Sequence, residues 1–238
     1  MTDFSTRYLL CVFLLFATLG ATAQSGETLD PEGDQARAEA AIKTLREGVL
    51  LVRLPSHQKK AAALQRLLDS PEVDESRKNA IRRELESTLA EASYRNRRLI
   101  QAFGRYYDFS PVLFLYDTAS TAVADGQRAG MFLDDSLRID PALGFGEEPF
   151  FFARIGYTDE TSSSGAADAL ILSDRNFGDL SDPFPNNFYI ATTKVVISRF
   201  FSPSTADDKY YRQLVSKLDR QLKKFYGQVT GQYLPEKK

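Results

Sequence analysis

The order of apolar strands and long amphipathic helices constrains the fold of this chain more than any other feature. Residues 49–54 read Val-Leu-Leu-Val-Arg-Leu and end at Pro55, which is typical of a buried strand. The next long apolar run, residues 111–116, comes only after a helical stretch over residues 56–104. A strand, a helical crossover and a second strand predict a parallel pair with a right-handed connection.

The helical stretch divides into two helices. Ser56 is predicted to cap the first helix, Asp74 to cap the second, and Gly104 to end it. In each helix, apolar residues recur at spacings of three, four or seven, which predicts one buried face. The residues on these faces are Ala61, Leu64, Leu67 and Leu68 in the first helix, and Ile81, Leu85, Leu89, Ala92, Leu99 and Phe103 in the second.

The second half of the chain is richer in strands. Short apolar runs at residues 131–133, 150–155 and 169–172, and a β-rich stretch at 188–201, are joined by loops too short for helices. Such connections favour antiparallel pairing. The predicted fold class is therefore α/β, a mixed α/β sandwich in which a central mixed sheet of about five or six strands is covered by helices near 56–104 and 207–227. An α+β arrangement is the alternative.

The N-terminal residues predict an exported protein. A short polar start at residues 1–7 precedes an apolar run at 8–19 and the small residues Ala21-Thr22-Ala23, the pattern of a secretory signal peptide. The apolar run is shorter than the roughly 20 residues that a membrane-spanning helix needs. Asp3 weakens the positive start, so an uncleaved anchor is the alternative.

The predicted organisation is a signal peptide at residues 1–23, a flexible lead-in at 24–33 and a single mixed α/β domain at 34–238. A helical part at 34–104 begins this domain, and a strand-rich part at 111–227 ends in the C-terminal helix, which Gly227 is predicted to stop. We expect a periplasmic or secreted location, and no transmembrane segment after cleavage.

Cysteine and charge narrow the functional classes. Cys11, the sole cysteine, lies in the predicted signal peptide, so the mature chain would be cysteine-free, without disulfides or a thiol nucleophile. A net charge of −2 gives no electrostatic footprint for nucleic acid. Arg95, Arg97 and Arg98 follow glutamates on the preceding turns of the helix, which predicts a solvated, salt-bridged helix face.

Three apolar runs end in an aspartate. The three aspartates are Asp117, Asp134, which has Asp135 beside it, and Asp174. Ligands bind outside the carboxyl ends of parallel strands, and clustered carboxylates there suit Mg²⁺ or Ca²⁺. The alternative is that each aspartate only initiates a turn, because its side chain bonds readily to the backbone two residues on.

His57 is the only histidine, so any catalytic triad would have to use it. No G-x-S-x-G sequence supplies a matching serine. Its setting before Gln58-Lys59-Lys60 favours an exposed surface residue, with a catalytic role as the weaker candidate.

The predicted function is an exported, non-enzymatic binding or assembly module of the bacterial cell envelope. Its partner would be an envelope protein, a peptide or a glycan, and no cofactor is expected. The alternative is a metal-dependent hydrolase, in which Asp117, Asp134 and Asp174 would hold Mg²⁺ or Ca²⁺.

Overall fold

The computed structural model of this protein describes residues 30–157, 168–189 and 203–236. Residues Gly33–Lys238 form one compact unit, and the preceding unit, Met1–Glu32, is described only in its last three residues. The predicted signal peptide, the loop at 158–167 and most of the predicted β-rich stretch at 188–201 lie outside the described residues. No helix in the described part of the chain is long and apolar enough to cross a membrane.

The described strands form one five-stranded mixed sheet in the order β2-β1-β3-β4-β5. β1 lies between two parallel neighbours, β2 and β3, while β4 and β5 continue the sheet in antiparallel pairing. The strands are β1 (Val49–Leu54), β2 (Val112–Tyr116), β3 (Phe150–Tyr157), β4 (Asp168–Ser173) and β5 (Asn187–Tyr189). The predicted mixed α/β fold and the parallel β1–β2 pair are thereby confirmed.

The long helices occupy the segments where helical patterns predict them, whereas the short helix at residues 120–124 is unpredicted. The helices are α1 (Pro31–Glu47), α2 (Gln58–Asp69), α3 (Glu75–Tyr106), the short α4 (Ser120–Ala124) and α5 (Pro203–Thr230). Asp74 caps α3 as predicted, because its side chain accepts a hydrogen bond from the backbone N–H of Arg77 at 2.9 Å.

The two faces of the sheet have different covers. Alternate residues of β1 point to opposite faces, so Leu50 and Val52 pack into the larger core with α1, α3 and α5. Val49 and Leu51 pack on the other face against the irregular segment 117–149. The helical cover of the larger core includes Ile42, Leu45, Leu99, Phe103, Leu214 and Leu218.

Several predicted boundaries need correction. α1 begins at Pro31, within the predicted lead-in, because proline suits the first turn of a helix. α3 continues past Gly104 to Tyr106. The run at 131–133 makes only isolated bridges, such as Phe132 with Leu115, and is not a strand.

The C-terminal helix continues through Gly227, where we predicted its end. A Cβ atom at this position would lie 2.7 Å from the Tyr233 ring, so Gly227 makes room for the returning chain. The stop comes at Gly231, which takes a φ of 73° and donates its N–H to the carbonyl oxygen of Gly227 at 2.9 Å.

The stripe predicted for α2 is only partly buried. Leu67 is 47% exposed, and no residue of α2 is fully buried. The reason is that α2 packs mainly against α3 and not directly on the sheet. The N-cap position is taken by His57 and not by Ser56.

A buried ionic cluster joins α5 to the end of α3. Asp219 accepts hydrogen bonds from the backbone N–H groups of Asp108 (2.9 Å) and Phe109 (3.1 Å). Lys223 pairs with Asp219 at 2.8 Å, pairs with Asp108, and donates to the carbonyl oxygen of Pro235 at 2.8 Å. This cluster therefore joins α5, the turn after α3 and the C-terminal segment.

The cluster predicts a loss of stability in alkali. Burial lowers the pKa of Lys223, but its bonds to Asp108 and Asp219 outweigh burial and raise it above the ordinary 10.5. The stabilisation is therefore fully present below about pH 10.5, where the unfolded side chain is also charged, and is lost as the pH rises through the higher pKa of the folded state. Denaturant unfolding of the wild type should weaken more steeply above pH 10.5 than unfolding of Lys223→Met, and equal slopes would contradict the assignment.

Candidate anion-binding site

The carboxyl ends of the three parallel strands meet at one edge of the sheet. The connection from β1 to β2 packs on the helical face, and the connection from β2 to β3 packs on the opposite face. Ligands in sheets of this kind bind outside the carboxyl ends, at the point where the connections diverge. In this sheet that point lies between β1 and β3.

Two arginines lie side by side at this point. Arg53 of β1 and Arg154 of β3 are register partners in the parallel pairing, so both belong to the face opposite the helices. Each follows four apolar residues in its strand, and each side chain is partly buried. Within residues 30–157, 168–189 and 203–236, neither guanidinium forms an ion pair.

Aromatic rings support Arg53 from one side. Phe152 and Phe177 stack with ring centroids 4.8 Å apart and ring planes at 19°. The guanidinium carbon of Arg53 lies 5.1 Å from the centroid of Phe177 and 6.0 Å from that of Phe152. The guanidinium of Arg53 therefore packs beside this pair of rings.

The electrostatics of Arg53 favour an added negative charge. Burial lowers the pKa of Arg53, the charge of Arg154 lowers it further, and Asp117 opposes both. The Nε atom of Arg53 is buried and has no hydrogen-bond partner among the residues that the structure describes. Asp117 directs one oxygen to the backbone N–H of Ser56 at 3.1 Å. Two neighbouring cations with an unpaired donor are therefore arranged where an anion would relieve their repulsion.

Gly156 sets the position of Arg154. A Cβ atom at Gly156 would overlap Nη1 of Arg154 and lie 3.2 Å from its Cζ. The guanidinium therefore occupies the space above this glycine. Any side chain at residue 156 would displace it.

Three of the four aspartates predicted to hold a metal, Asp117, Asp134 and Asp174, bond to backbone N–H groups. Asp134 accepts from the N–H groups of Ser136 (2.9 Å) and Arg138 (2.8 Å) and pairs with the Arg138 side chain at 3.1 Å. Asp174 accepts from the N–H groups of Asn176 (2.8 Å) and Gly178 (2.7 Å). Asp135 is exposed. These bonds are those of turn-forming aspartates.

The sheet register also separates two of these carboxylates. Asp117 follows the Leu54–Tyr116 pair at the carboxyl edge, whereas Asp174 follows the Phe152–Ser173 pair near the opposite edge. About five residues of β3 separate the two levels, or roughly 16 Å at 3.3 Å per residue. Among the described residues, no group of three or more histidine, cysteine, aspartate or glutamate side chains is placed to hold a metal ion. The metal-dependent hydrolase thus remains a prediction without a converging site in this part of the chain.

His57 lies in the N-cap position of α2, with an exposed side chain and a φ of 52°. Its carbonyl oxygen accepts the N–H of Ala61 at 2.9 Å, while its side chain makes no capping bond. Its role in the described structure is therefore to begin a helix.

The basic face of α3 is salt-bridged, as predicted. Arg95 pairs with Glu91 at 2.5 Å, and Arg98 pairs with Asp208 of α5 at 2.8 Å. Exposed pairs of this kind contribute little energy, so they identify no binding site.

Sequence reasoning missed Arg53 and Arg154. The available signal was an arginine at the fifth position of two otherwise apolar strands, since a charge in a buried strand requires a partner or a function. Their adjacency is set by the strand order, which the sequence leaves open.

Comparison of this chain with protein-family models, with curated protein sequences and with solved structures finds no match.

Proposed function

We propose that this protein is an exported binding module of the bacterial cell envelope that holds an anionic group of its ligand between Arg53 and Arg154. The observation that carries the proposal is the pair itself. Two partly buried arginines are register partners on one face of the sheet, near the edge where ligands bind in such sheets, and neither forms an ion pair in the described part of the chain.

The chemistry of the pair favours carboxylate or phosphate. A guanidinium presents its N–H donors in a planar fork that matches these groups with two parallel hydrogen bonds. One anion between two arginines would satisfy both charges, and the desolvation of Arg53 strengthens that attraction. The ligand is therefore an acidic glycan, peptide or protein segment.

The same chemistry supports anion binding and provides no general acid or base. The pKa of a guanidinium is so high that it stays protonated in proteins and exchanges no proton with a substrate.

The envelope location rests on the signal-peptide pattern of residues 1–23. A mature chain that begins near Gln24 would support it, and an intact N-terminus in a mature envelope fraction would contradict cleavage.

Anion binding is expected to raise the thermal stability of the folded protein. Titration with phosphate or citrate at constant ionic strength should increase the melting temperature, because a ligand at 100 times its Kd adds about 2.7 kcal/mol to the free energy of unfolding. Arg53→Gln and Arg154→Gln should each weaken binding by about 10-fold or more, since a charged hydrogen bond contributes about 1.5–3 kcal/mol.

The matched control is Arg83→Gln, which removes the same charge from an exposed position on α3. It should bind phosphate like the wild type. The proposal fails if the wild type shows no anion-dependent shift, or if Arg83→Gln and Arg154→Gln weaken binding equally.

Gly156→Ala tests the geometry of the site at constant charge. The new methyl group would displace the guanidinium of Arg154, yet its overlap falls on the far end of a flexible side chain, so the melting temperature without ligand should change little. Phosphate affinity should fall nearly as far as in Arg154→Gln. Wild-type affinity in this variant would show that the position of Arg154 is unimportant.

A further inference from the structure

Phe177 lies beside Arg53 in an unusual backbone conformation. The residue is 40% exposed, and its backbone has a φ of 64°. The left-handed region is uncommon for a bulky side chain and marks positions that the surrounding structure imposes. A large apolar ring is thus held at the surface by a turn that glycine or asparagine would form more easily.

The turn that holds Phe177 is built by Asp174. Oδ1 of Asp174 accepts the N–H groups of Asn176 and Gly178, and its carbonyl oxygen accepts the N–H of Phe177 at 3.1 Å. The N–H of Asp174 in turn bonds to the carbonyl oxygen of Gly178 at 3.0 Å. These bonds position the ring over Phe152 despite the strained backbone.

The stack leaves one face of the Phe177 ring, the outer face, that neither Phe152 nor Arg53 covers. Phe152 covers one face of the ring at 4.8 Å. The guanidinium carbon of Arg53 lies 5.1 Å from the Phe177 centroid. If it lay on the outer face, its distance from the Phe152 centroid would be close to the sum of 4.8 Å and 5.1 Å. The observed distance from the Phe152 centroid is only 6.0 Å. Arg53 therefore lies beside the stack and not on the outer face of Phe177.

We propose that the ligand bears its anionic group on a flat ring with an apolar face, which stacks on Phe177 while Arg53 and Arg154 hold the anion. This inference rests on the proposed function. The pyranose rings of acidic sugars and the rings of aromatic acids share this chemistry, because each has an apolar face that can pack against an aromatic side chain.

The test compares anions with and without a ring by isothermal titration calorimetry. Inorganic phosphate is the reference, glucose 6-phosphate represents the sugars, and phenyl phosphate represents the aromatic acids. At least one ring-bearing phosphate should bind about 5- to 10-fold more tightly than inorganic phosphate, as expected for one additional ring contact. Whichever of these two phosphates binds more tightly shows whether the ring of the ligand is a sugar ring or an aromatic ring.

Variants at residue 177 separate stacking from charge. Phe177→Leu keeps apolar volume over Phe152 but removes the ring, so it should bind ring-bearing phosphate no more tightly than inorganic phosphate. Phe177→Tyr keeps the ring and should retain the tighter binding of ring-bearing phosphate. We compare the ratio of the two affinities, because a displacement of Arg53 would change the affinity for both ligands and cancel in the ratio. Both variants are first checked for a wild-type melting profile.

Two failures are distinguishable. If inorganic phosphate binds but neither ring-bearing phosphate binds more tightly, or if Phe177→Leu keeps the ratio, the ring inference is wrong and the anion site stands. If none of the three phosphates binds, the proposed function fails and this inference fails with it.

Discussion

Replacing Asp219 by alanine is expected to lower the free energy of unfolding by about 3 kcal/mol, the lower end of the range for a broken buried ion pair, because Lys223 loses its buried carboxylate partner and keeps only the more exposed Asp108. Lys223 is 6% exposed at its side chain, so water does not replace the lost carboxylate. The backbone N–H groups of Asp108 and Phe109 lose their acceptor in the same step. Denaturant unfolding monitored by circular dichroism measures the change.

Two companion variants separate charge from hydrogen bonding. Asp219→Asn keeps an oxygen for both N–H groups and should be less destabilising than alanine, especially since burial raises the pKa of Asp219 and so opposes its charge. Asp208→Ala removes the exposed carboxylate that pairs with Arg98, and should change stability by about 1 kcal/mol or less. Equal losses for Asp219→Ala and Asp208→Ala would contradict the buried cluster.

Replacing Gly48 by alanine is expected to destabilise the protein by about 3 kcal/mol, the upper end of the usual range for overpacking. Gly48 is buried between α1 and β1. A Cβ atom there would overlap the carbonyl oxygen of Pro149 and lie 2.9 Å from that of Thr44. Both obstacles are backbone atoms, and the Pro149 oxygen accepts the N–H of Val49 at 2.9 Å. Relief of the overlap therefore disturbs the start of the β1–β3 pairing.

Gly104→Ala is the matched control for Gly48→Ala. Gly104 lies within α3, and a Cβ atom there meets nothing within 4 Å. Alanine is favoured over glycine in a helix by about 0.8–1 kcal/mol, so this variant should gain stability. Thermal melts of the two variants should shift in opposite directions, and a stable Gly48→Ala protein would show that the strand entry is not tightly packed.

The strands and helices were predictable because burial imposes a period on the residues of each element. Residues 49–54 form β1 as predicted, and the long crossover makes β1 and β2 parallel. The ends of α1 and α5 were less predictable. Gly227 looks like a helix stop in sequence, and only the packing of Tyr233 against it explains why the helix continues.

The candidate site was predictable only in its types of residue. An aspartate at the end of a strand is consistent with either a turn or a metal site, and the register that separates Asp117 from Asp174 is a property of the folded sheet. Asp174 instead holds the turn that presents Phe177.

The sequence by itself determined that this chain folds as a mixed α/β domain, because apolar periodicity and crossover length depend on neighbouring residues. The tertiary structure alone decided that Arg53 and Arg154 lie together. About one hundred residues separate them in the chain, and they become neighbours because β3 pairs with β1 on the side opposite β2. That choice depends on how the two sheet faces are covered, which is an interaction among distant segments and not a local pattern.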